Sequence, residues 1–368
     1  MGRKLRIAQL TLDGYFNYGT ILQKFALHHT LKKFADFTEV RWPSLRWGGV
    51  SFFEVGDGKL LEQYVRHDER HNWKTKILIR EAIRQSKFRD FENLHIRTRF
   101  NLPYLEETAD EYDFFVVGSD QIWNTRWNPP YIFLDFVPRE KKIAYAASLN
   151  AGAIPDEKKE TFRRGISDFN YLSVREKNAV KIIEELTGKT PLHVLDPVLL
   201  LTADEWLAVA QKPTWLKERY SRGYVLTYHL SKLPPPEIKQ FADKLDLPVI
   251  NLLDTENYNH FTVGPAEFVW LFANASLIYT NSFHGTAFSS LFKIPFILNA
   301  LRNIKDTRLR SFLSLFGLID RMTNVVEPMK IDFTRRDEVL PIERAKAFNF
   351  LAEAFGINPL EKLLGGDA

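Results

Sequence analysis

Polar residues able to bind or transfer protons follow apolar, strand-like runs at four places in this chain. In an open parallel sheet, ligands bind outside the carboxyl ends of the strands, and a helix that begins there attracts phosphate or carboxylate groups. One such group alone is explained by a helix cap or a turn, but four in one chain predict a shared ligand cleft. The groups are Asn17-Tyr18-Gly19, Gly118-Ser119-Asp120-Gln121-Ile122-Trp123-Asn124, Ser173-Val174-Arg175-Glu176 and Thr280-Asn281-Ser282-Phe283-His284-Gly285-Thr286.

The common nucleotide, metal and hydrolase motifs are missing from the sequence. Gly56-Asp57-Gly58 fits a hairpin turn better than a dinucleotide fingerprint, because Leu61 stands where the third glycine belongs. His67 and His71 have the spacing of zinc ligands on a helix, but the intervening glutamate is in the wrong place. Ser282 has no G-x-S-x-G surroundings, and the chain contains no cysteine. We therefore expect chemistry that uses no metal, no thiol and no cofactor.

Strand-like runs alternate with helical ones along the chain, which is typical of α/β folds with parallel sheets. The apolar runs lack the period-2 alternation of half-exposed strands, so we expect them to be covered by helices on both faces. Strands are predicted at residues 5–12, 113–117, 142–148, 171–174 and 193–196, and then at 224–228, 248–252, 276–280 and 294–298.

The two sets of strands predict two α/β domains that face each other across a cleft. We place the N-terminal domain at residues 1–205, with a helical segment at about 50–100, and the C-terminal domain at 206–340. Residues 341–368 are expected to form a helix that packs back on the body.

Composition and charge exclude several classes of protein. The net charge of +4 is mild for 368 residues, and the basic stretch at 66–99 is interleaved with acidic and aromatic residues, so nucleic-acid binding is not expected. No apolar run approaches the roughly 20 residues of a membrane helix, and the N-terminus lacks the apolar core of a signal peptide. We expect a cytoplasmic protein, with contact between the basic stretch and a membrane surface as the alternative to a solvated helix. The 14% of aromatic residues serve a core, sugar stacking, or both.

The motifs, in their order along the chain, resemble the polysaccharide pyruvyl transferase family. The resemblance spans roughly residues 5 to 325, and the stretch from about 46 to 99 matches none of its motifs. It is carried by the four polar groups above together with Leu22-Gln23, Tyr145-Ala146-Ala147-Ser148, Val194-Leu195-Asp196-Pro197, Gly264-Pro265 with Phe268, and Lys305-Asp306-Thr307-Arg308-Leu309-Arg310.

The resemblance implies a fold and a reaction. The fold would be GT-B-like, with two Rossmann-like domains. The reaction would transfer a pyruvyl group from phosphoenolpyruvate to two hydroxyls of a sugar, giving a cyclic ketal during surface glycan biosynthesis. A GT-B glycosyltransferase with a nucleotide-sugar donor is the main alternative, and a non-enzymatic sugar-binding module is the second.

The resemblance also implies which residues would meet the donor. Arginine grips phosphate or carboxylate bidentately, and we expect Arg175 to do so unless it is paired with an acid. The general acid or base would be His284, with Asp120 taking a proton from a sugar hydroxyl and Glu176 in reserve. Without a role in catalysis, His284 would be a core histidine, Asp120 would cap a helix and Asp196 would be a turn residue. Further donor contacts are expected from Ser282, Gly285 and the basic group Lys305, Arg308 and Arg310.

The acceptor would be a sugar, either lipid-linked or nucleotide-linked, bound on the N-terminal side of the cleft. Tyr18 and Trp123 are candidates for stacking on a sugar ring, although aromatic residues at domain surfaces also serve packing. Gly19 and Gly285 would let the backbone approach the ligand. The complete predicted acceptor set is Asn17, Tyr18, Gly19, Gln23, Ser119, Gln121, Trp123 and Asn124.

Overall fold

The structure is a computed structural model of the whole chain, and it describes most of the residues. The described parts are residues 5–12, 17–35, 37–42, 73–100, 106–126, 131–230, 234, 236–299, 307–323 and 330–357.

Seven parallel strands form the first sheet, in the order β3-β2-β1-β4-β5-β6-β7. This is the strand order of the Rossmann fold with one strand added at the edge, and its reversal point lies between β1 and β4. The strands are β1 (Arg6–Leu10), β2 (Phe37–Trp42), β3 (Thr98–Phe100), β4 (Phe114–Val117), β5 (Lys142–Ala147), β6 (Tyr171–Val174) and β7 (Leu192–His193).

Five parallel strands form the second sheet, in the order β12-β11-β10-β8-β9. The reversal point of this sheet lies between β8 and β10. The strands are β8 (Val225–Tyr228), β9 (Val249–Leu252), β10 (Leu277–Thr280), β11 (Phe296–Asn299) and β12 (Met322–Thr323). Together the two sheets confirm the predicted fold class, an α/β protein with two Rossmann-like units.

Helices connect the strands and cover the sheets. They are α1 (Tyr18–Leu31), α2 (Trp73–His95), α3 (Asp156–Ser167), α4 (Lys177–Thr187), α5 (Ala203–Leu207), α6 (Pro236–Lys244), α7 (Tyr258–Phe261), α8 (Pro265–Ala273), α9 (Phe283–Leu291), α10 (Thr307–Leu315) and α11 (Thr334–Ala354). Short 3-10 turns occur at Glu106–Thr108, Arg139–Lys141, Pro197–Leu199, Glu218–Tyr220 and Ile319–Arg321.

The apolar runs become strands because helices on both faces of each sheet remove them from water. All six residues of β5 and all four residues of β8 and β10 are buried. Such burial explains why the runs show no alternation of apolar and polar residues.

The structure extends the predicted secondary structure at several places. Strands β2, β3 and β12 were not predicted. Strands β3 and β12 are short edge strands of three and two residues, whereas β2 has six residues of which Thr38, Glu39 and Arg41 are polar, so it lacks the continuous apolar run of the predicted strands. Within the segment expected to be helical at about 50–100, α2 is a helix, whereas the predicted turn at Asp57-Gly58 and the histidines His67 and His71 lie outside the described residues. The C-terminal helix α11 begins at Thr334 rather than at 341, and the predicted boundary at 205/206 falls inside α5.

The first half of the molecule carries strands β1–β7 and the second half carries β8–β12. Contacts between these two halves hold the sheets together. The hydroxyl of Tyr18 in α1 donates to the carbonyl of Val263 at 2.6 Å, and Lys87 in α2 pairs with Glu267 in α8 at 2.9 Å. Helix α11 returns to the first half, where Arg344 donates to the carbonyls of the turn after β7. The carboxyl ends of the two sheets therefore meet at one junction.

Candidate functional site

The site lies where the carboxyl ends of both sheets meet. From the first sheet, Asp120 follows β4, Ser148 follows β5, and Arg175 and Glu176 follow β6. Asp196 stands just beyond β7 and begins the 3-10 turn Pro197–Leu199. From the second half, α9 contributes His284 and α10 contributes Arg308. These side chains, separated by up to 188 positions in the sequence, form one cluster because parallel strands end at the same edge of a sheet.

Arg175 is the centre of the cluster. Its guanidinium donates to Asp196 Oδ2 at 2.5 Å and to Asp120 Oδ1 at 2.9 Å, and also to Ser148 Oγ at 2.9 Å. Its Nε lies 3.5 Å from Glu176 Oε1, and the guanidinium carbon is 4.7 Å from the ring centre of Phe283. Only 4% of the residue is exposed. Arg175 is thus a buried arginine paired with acids rather than a surface one, and its contact with the donor stays a prediction.

The charges of the cluster divide its carboxyl groups into two kinds. Burial alone would raise the pKa of Asp120, but Arg175 and His284 outweigh it and lower the pKa. Asp196 follows the same rule, with His284 and Arg175 holding its pKa well below the usual range against the effect of burial. For Glu176, burial dominates over Arg175 and raises the pKa. Two ionised carboxylates and one carboxyl group that takes up a proton more readily therefore surround the arginine.

His284 reaches from the second half into the first. Its Nε2 lies 3.6 Å from Asp196 Oδ2, which is within the range of an ion pair, and forms no hydrogen bond within the described residues. The ring also lies against Gly19 in α1, where an added Cβ would come within 2.0 Å of Nδ1. Gly19 thus makes room for the imidazole ring of His284.

The first turn of α9 is built around Ser282 and Gly285. Ser282 caps the helix, its hydroxyl accepting from the amide of Gly285 at 3.3 Å. Gly285 has no room for a Cβ, because Oγ1 of Thr280 would lie 2.3 Å away. Both residues are buried, so they fix the position of His284 in the turn, and the positive end of the helix dipole points at the site.

The three basic residues expected near the donor differ in position. Arg308 lies in the cluster, with Nη1 3.5 Å from Asp120 Oδ1 and 15% of its side chain exposed. Arg310 is exposed on the same helix, and Lys305 lies outside the described residues. Of the two described residues of this group, Arg308 is the one that lies at the site.

The polar residues expected on the acceptor side form two networks. Gln23 is buried and donates to Thr11 Oγ1 at 2.7 Å, and its Oε1 accepts from the amide of Ser119 at 3.3 Å. Gln121 is only partly buried and accepts from Asn124 at 2.8 Å. Asn17 caps α1 by accepting from the amide of Gly19 at 2.8 Å. The structure places Asn17 and Gln121, which are half-buried, where solvent still reaches them.

The two aromatic candidates for sugar stacking are core residues. Tyr18 has no exposed surface and stacks on Phe268, with ring centres 4.4 Å apart. Trp123 is equally buried and donates its indole N–H to the carbonyl of Ile132 at 3.1 Å. Neither ring offers a face to a sugar, and this corrects the expected contact. Both rings fill the interior beside the strand ends, because removing a large aromatic ring from water stabilises the folded protein.

Three residues of the cluster have no predicted contact with donor or acceptor, namely Asp196, Ser148 and Phe283, and all three contact Arg175. Asp196 was expected to be a turn residue, and it does cap the 3-10 turn by accepting from the amide of Val198 at 3.0 Å. Its second carboxylate oxygen, however, faces both Arg175 and His284. The signal that could have found it is its place directly after a strand, which is the same signal that identified Asp120.

A small cavity lies beside the arginine. Its volume is about 20 Å³, and Arg175, Asp196, Phe283 and Arg308 are among the residues that line it. A space of this size holds about one water molecule. This cavity alone is therefore too small for a ligand of several heavy atoms.

Two further observations concern the described residues alone. No group of three or more histidine, aspartate or glutamate side chains there is arranged to hold a metal ion. No helix in that part of the chain is long and apolar enough to cross a membrane. The expected reaction without a metal or cofactor stays a prediction.

The two parallel sheets and the charged cluster at their junction define an α/β protein with two Rossmann-like units. The family model described as polysaccharide pyruvyl transferase matches residues 17–299. The chain belongs to the polysaccharide pyruvyl transferase family, whose name describes a transferase acting in polysaccharide biosynthesis. No curated protein sequence matches the chain.

Solved structures with similar chains include UDP-GlcNAc 2-epimerases and a wall teichoic acid polymerase. UDP-GlcNAc 2-epimerase from Neisseria meningitidis, bound to UDP-GlcNAc, is 9% identical, with 95% of this chain and 100% of that chain covered and a TM-score of 0.44. The Methanocaldococcus jannaschii UDP-GlcNAc 2-epimerase, in complex with UDP-GlcNAc and UDP, is 13% identical, with 92% and 99% covered and a TM-score of 0.41. A variant of the wall teichoic acid polymerase TagF is 13% identical, with 98% and 86% covered and a TM-score of 0.42.

Proposed function

We propose that the protein transfers a pyruvyl group from phosphoenolpyruvate to two hydroxyls of one sugar. The products would be a cyclic ketal and inorganic phosphate, and the ketal would belong to a surface glycan. The observation that carries this proposal is the junction of the two sheets, where Arg175, Arg308 and His284 meet the carboxylates of Asp120 and Asp196. Family membership agrees with it.

The donor brings a phosphate and a carboxylate, which require cationic and N–H groups. Arg308 and His284 face the junction from the second half, and the N-terminus of α9 adds positive potential there. Arg175 already has two carboxylate partners, so a donor group would compete with Asp120 and Asp196 for its N–H groups. We therefore assign the first contact with the donor to Arg308 and His284. Arg175 would hold the carboxylates and meet the donor only after a rearrangement.

Ketal formation needs an acid and a base. A proton delivered to the methylene carbon of phosphoenolpyruvate creates a cationic centre at C2, which one sugar hydroxyl attacks while losing its own proton. Phosphate then leaves, and the second hydroxyl attacks C2 to close the ring while its proton passes to the departing phosphate. His284 is our candidate for the acid, and Asp120 for the base because its lowered pKa keeps it ionised. Glu176, whose pKa is raised, is the reserve proton carrier.

The acceptor would enter from the side of the first sheet. Asn17 and Gln121 are the predicted acceptor residues that keep partial exposure, and they would donate to or accept from sugar hydroxyls. We propose that the sugar is carried on a lipid or a nucleotide, with the enzyme in the cytoplasm or held at the membrane surface.

The decisive experiment measures phosphate release from phosphoenolpyruvate. The purified protein is incubated with the donor and a panel of nucleotide-linked and lipid-linked sugars, and the product is examined by mass spectrometry. The mass of the acceptor should increase by that of one pyruvic acid molecule minus one water molecule. Substitution H284Q should lower the rate by about 10²–10⁴-fold if this histidine is the acid. The control R163M changes an exposed arginine on α3 and should keep the rate.

Three outcomes count against the proposal. Phosphate release in no member of the panel, thermal stabilisation by nucleotide sugars but not by phosphoenolpyruvate, or glycan binding without turnover would each contradict it. The second outcome would favour a nucleotide-sugar glycosyltransferase, and the third a sugar-binding module.

A further inference from the structure

The imidazole of His284 is held by the opposite half of the molecule. It belongs to α9 in the second half, yet it lies close to Asp196 and Gly19, both in the first half. The residue is only 5% exposed, although it is a polar group at a junction between two sheets. Its position is therefore determined by the fit between the halves as well as by its own helix.

The imidazole of His284 lies in a slot between Gly19 and Asp196, and Gly19 forms one wall of it. A Cβ at Gly19 would lie 2.0 Å from Nδ1, 2.6 Å from Cγ and 2.7 Å from Cε1 of His284. Contacts of this length do not occur, so any larger residue at 19 would push the ring away. Asn17, which caps α1 and accepts from the amide of Gly19 at 2.8 Å, keeps this turn in place.

Asp196 forms a second wall of the slot. Its Oδ1 accepts from the amide of Val198 at 3.0 Å and its Oδ2 accepts from Arg175 at 2.5 Å, so the carboxylate cannot turn freely. The same Oδ2 lies 3.6 Å from Nε2 of His284. A carboxylate fixed in this way attracts the ring N–H and sets the direction in which the ring points.

We propose that Asp196 and Gly19 are positioning residues that orient His284 for proton transfer. The role of His284 in proton transfer rests on the proposed function, whereas the orientation of its ring does not depend on that function. Because the walls of the slot and the histidine come from different halves, the oriented histidine exists only while the halves are in contact. Opening the junction to admit substrate would release the ring, and closing it would set the ring again.

Several charged groups face the ring besides Asp196. Asp120 and Arg175 stand on the first sheet within the same cluster, and Arg308 approaches Asp120 from α10. The test must therefore separate the effect of Asp196 from a general change in the charge of the cluster. Glu176 offers a matched control, since its carboxylate faces Nε of Arg175 at 3.5 Å and hydrogen-bonds Ser148 and Leu149.

The first experiment reads the orientation of the ring without any activity. Protein with selectively ¹³C-labelled histidine and glycine is studied by NMR, and the H284Q spectrum assigns the signals of His284. The wild-type protein should show a cross-peak between the ring and the α protons of Gly19. D196N should weaken or remove this cross-peak, and E176Q should keep it. A cross-peak of full strength in D196N would overturn the role of Asp196.

The second experiment uses the reaction. A misplacement of about 1 Å in a reacting group costs roughly 100-fold in rate, so D196N should lower kcat by about that factor. If Asp196 acts through His284, the double variant D196N/H284Q should be no slower than H284Q alone, because the two changes remove the same function. Additive losses would show that Asp196 acts independently of His284 and would contradict the proposal.

Gly19 is tested by G19A with G165A as its control. Gly165 in α3 lies against Phe133, where an added Cβ would come within 2.3 Å, so both variants overpack a buried contact. Both should lower Tm, but only G19A should shift the His284 ring signals and lower kcat. If G19A leaves the His284 ring signals and kcat unchanged, Gly19 has no positioning role. If the ring signals respond as expected but no acceptor is ever pyruvylated, the proposed function fails while the orientation of His284 by this slot holds.

Discussion

Replacing Arg175 with methionine tests whether the charged cluster is held together by this side chain. R175M removes the guanidinium that hydrogen-bonds both Asp120 and Asp196. All three residues are at least 95% buried, so the two carboxylates would remain in the interior without this cation. Removing one partner of a buried ion pair costs about 3–5 kcal/mol. At roughly 2–4 °C per kcal/mol for a large domain, Tm should fall by about 6–20 °C.

The assay is thermal unfolding followed by circular dichroism at pH 7. R163M provides the matched control, because Arg163 pairs with Glu160 on the surface at 2.7 Å and is about half exposed. Exposed pairs contribute little, so this variant should unfold at the wild-type temperature. A Tm for R175M within 2 °C of the wild-type value, judged against the roughly 6–20 °C expected, would refute the reasoning.

The pH dependence of Tm in R175M tests whether its loss of stability comes from the charges of Asp120 and Asp196. In the wild type, the pKa values of Asp120 and Asp196 are lowered, so their contribution to stability is present at neutral pH and is lost as the pH falls below about 4. In R175M, burial without the cation should raise both pKa values, and protonation then relieves the penalty. The difference in Tm between the two proteins should therefore be largest near pH 7 and shrink toward pH 4.

Three further predictions concern other parts of the chain. Burial lowers the pKa of His28 to about 3, so the free energy of unfolding of the wild type should decrease by up to about 5 kcal/mol as the pH drops below 6.5. In a pH series of urea titrations, the free energy of unfolding of H28N should decrease less. Lys24 and Glu92 form a fully buried ion pair, so K24M alone should cost about 3–5 kcal/mol of unfolding free energy, whereas K24M/E92L should recover most of the loss in the same titration. G285A should lose about 1–3 kcal/mol in chemical unfolding, because the new Cβ meets Thr280 in the first turn of α9; unchanged stability would contradict the tight fit.

Much of the fold could be predicted from local patterns. Apolar runs such as Phe114–Val117 and Leu277–Thr280 became strands because a run of that length and composition is stable only inside a covered parallel sheet. The same patterns located the polar groups after each strand, and Asp120, Arg175 and His284 do lie together. Edge strands such as β12 escaped prediction, since two residues carry no pattern of their own.

The roles of individual side chains depended on contacts that no local pattern contains. Tyr18 looked like a sugar-stacking residue until packing against Phe268, 250 positions away, placed it in the core. The sequence predicts a donor contact for Arg175, and only the structure shows that its guanidinium is also hydrogen-bonded to two carboxylates, one after β4 and one after β7.

The sequence by itself therefore determined the α/β class, the ends of the strands at which the charged groups stand, and the family to which the chain is similar. Only the tertiary structure decided which of those groups meet, because strand order and the fit between the two halves bring distant residues within bonding distance. Asp196 and Gly19 show this most clearly. Each has an ordinary local explanation, as a cap and as a residue in the first turn of a helix, and each meets His284 only when the halves are joined.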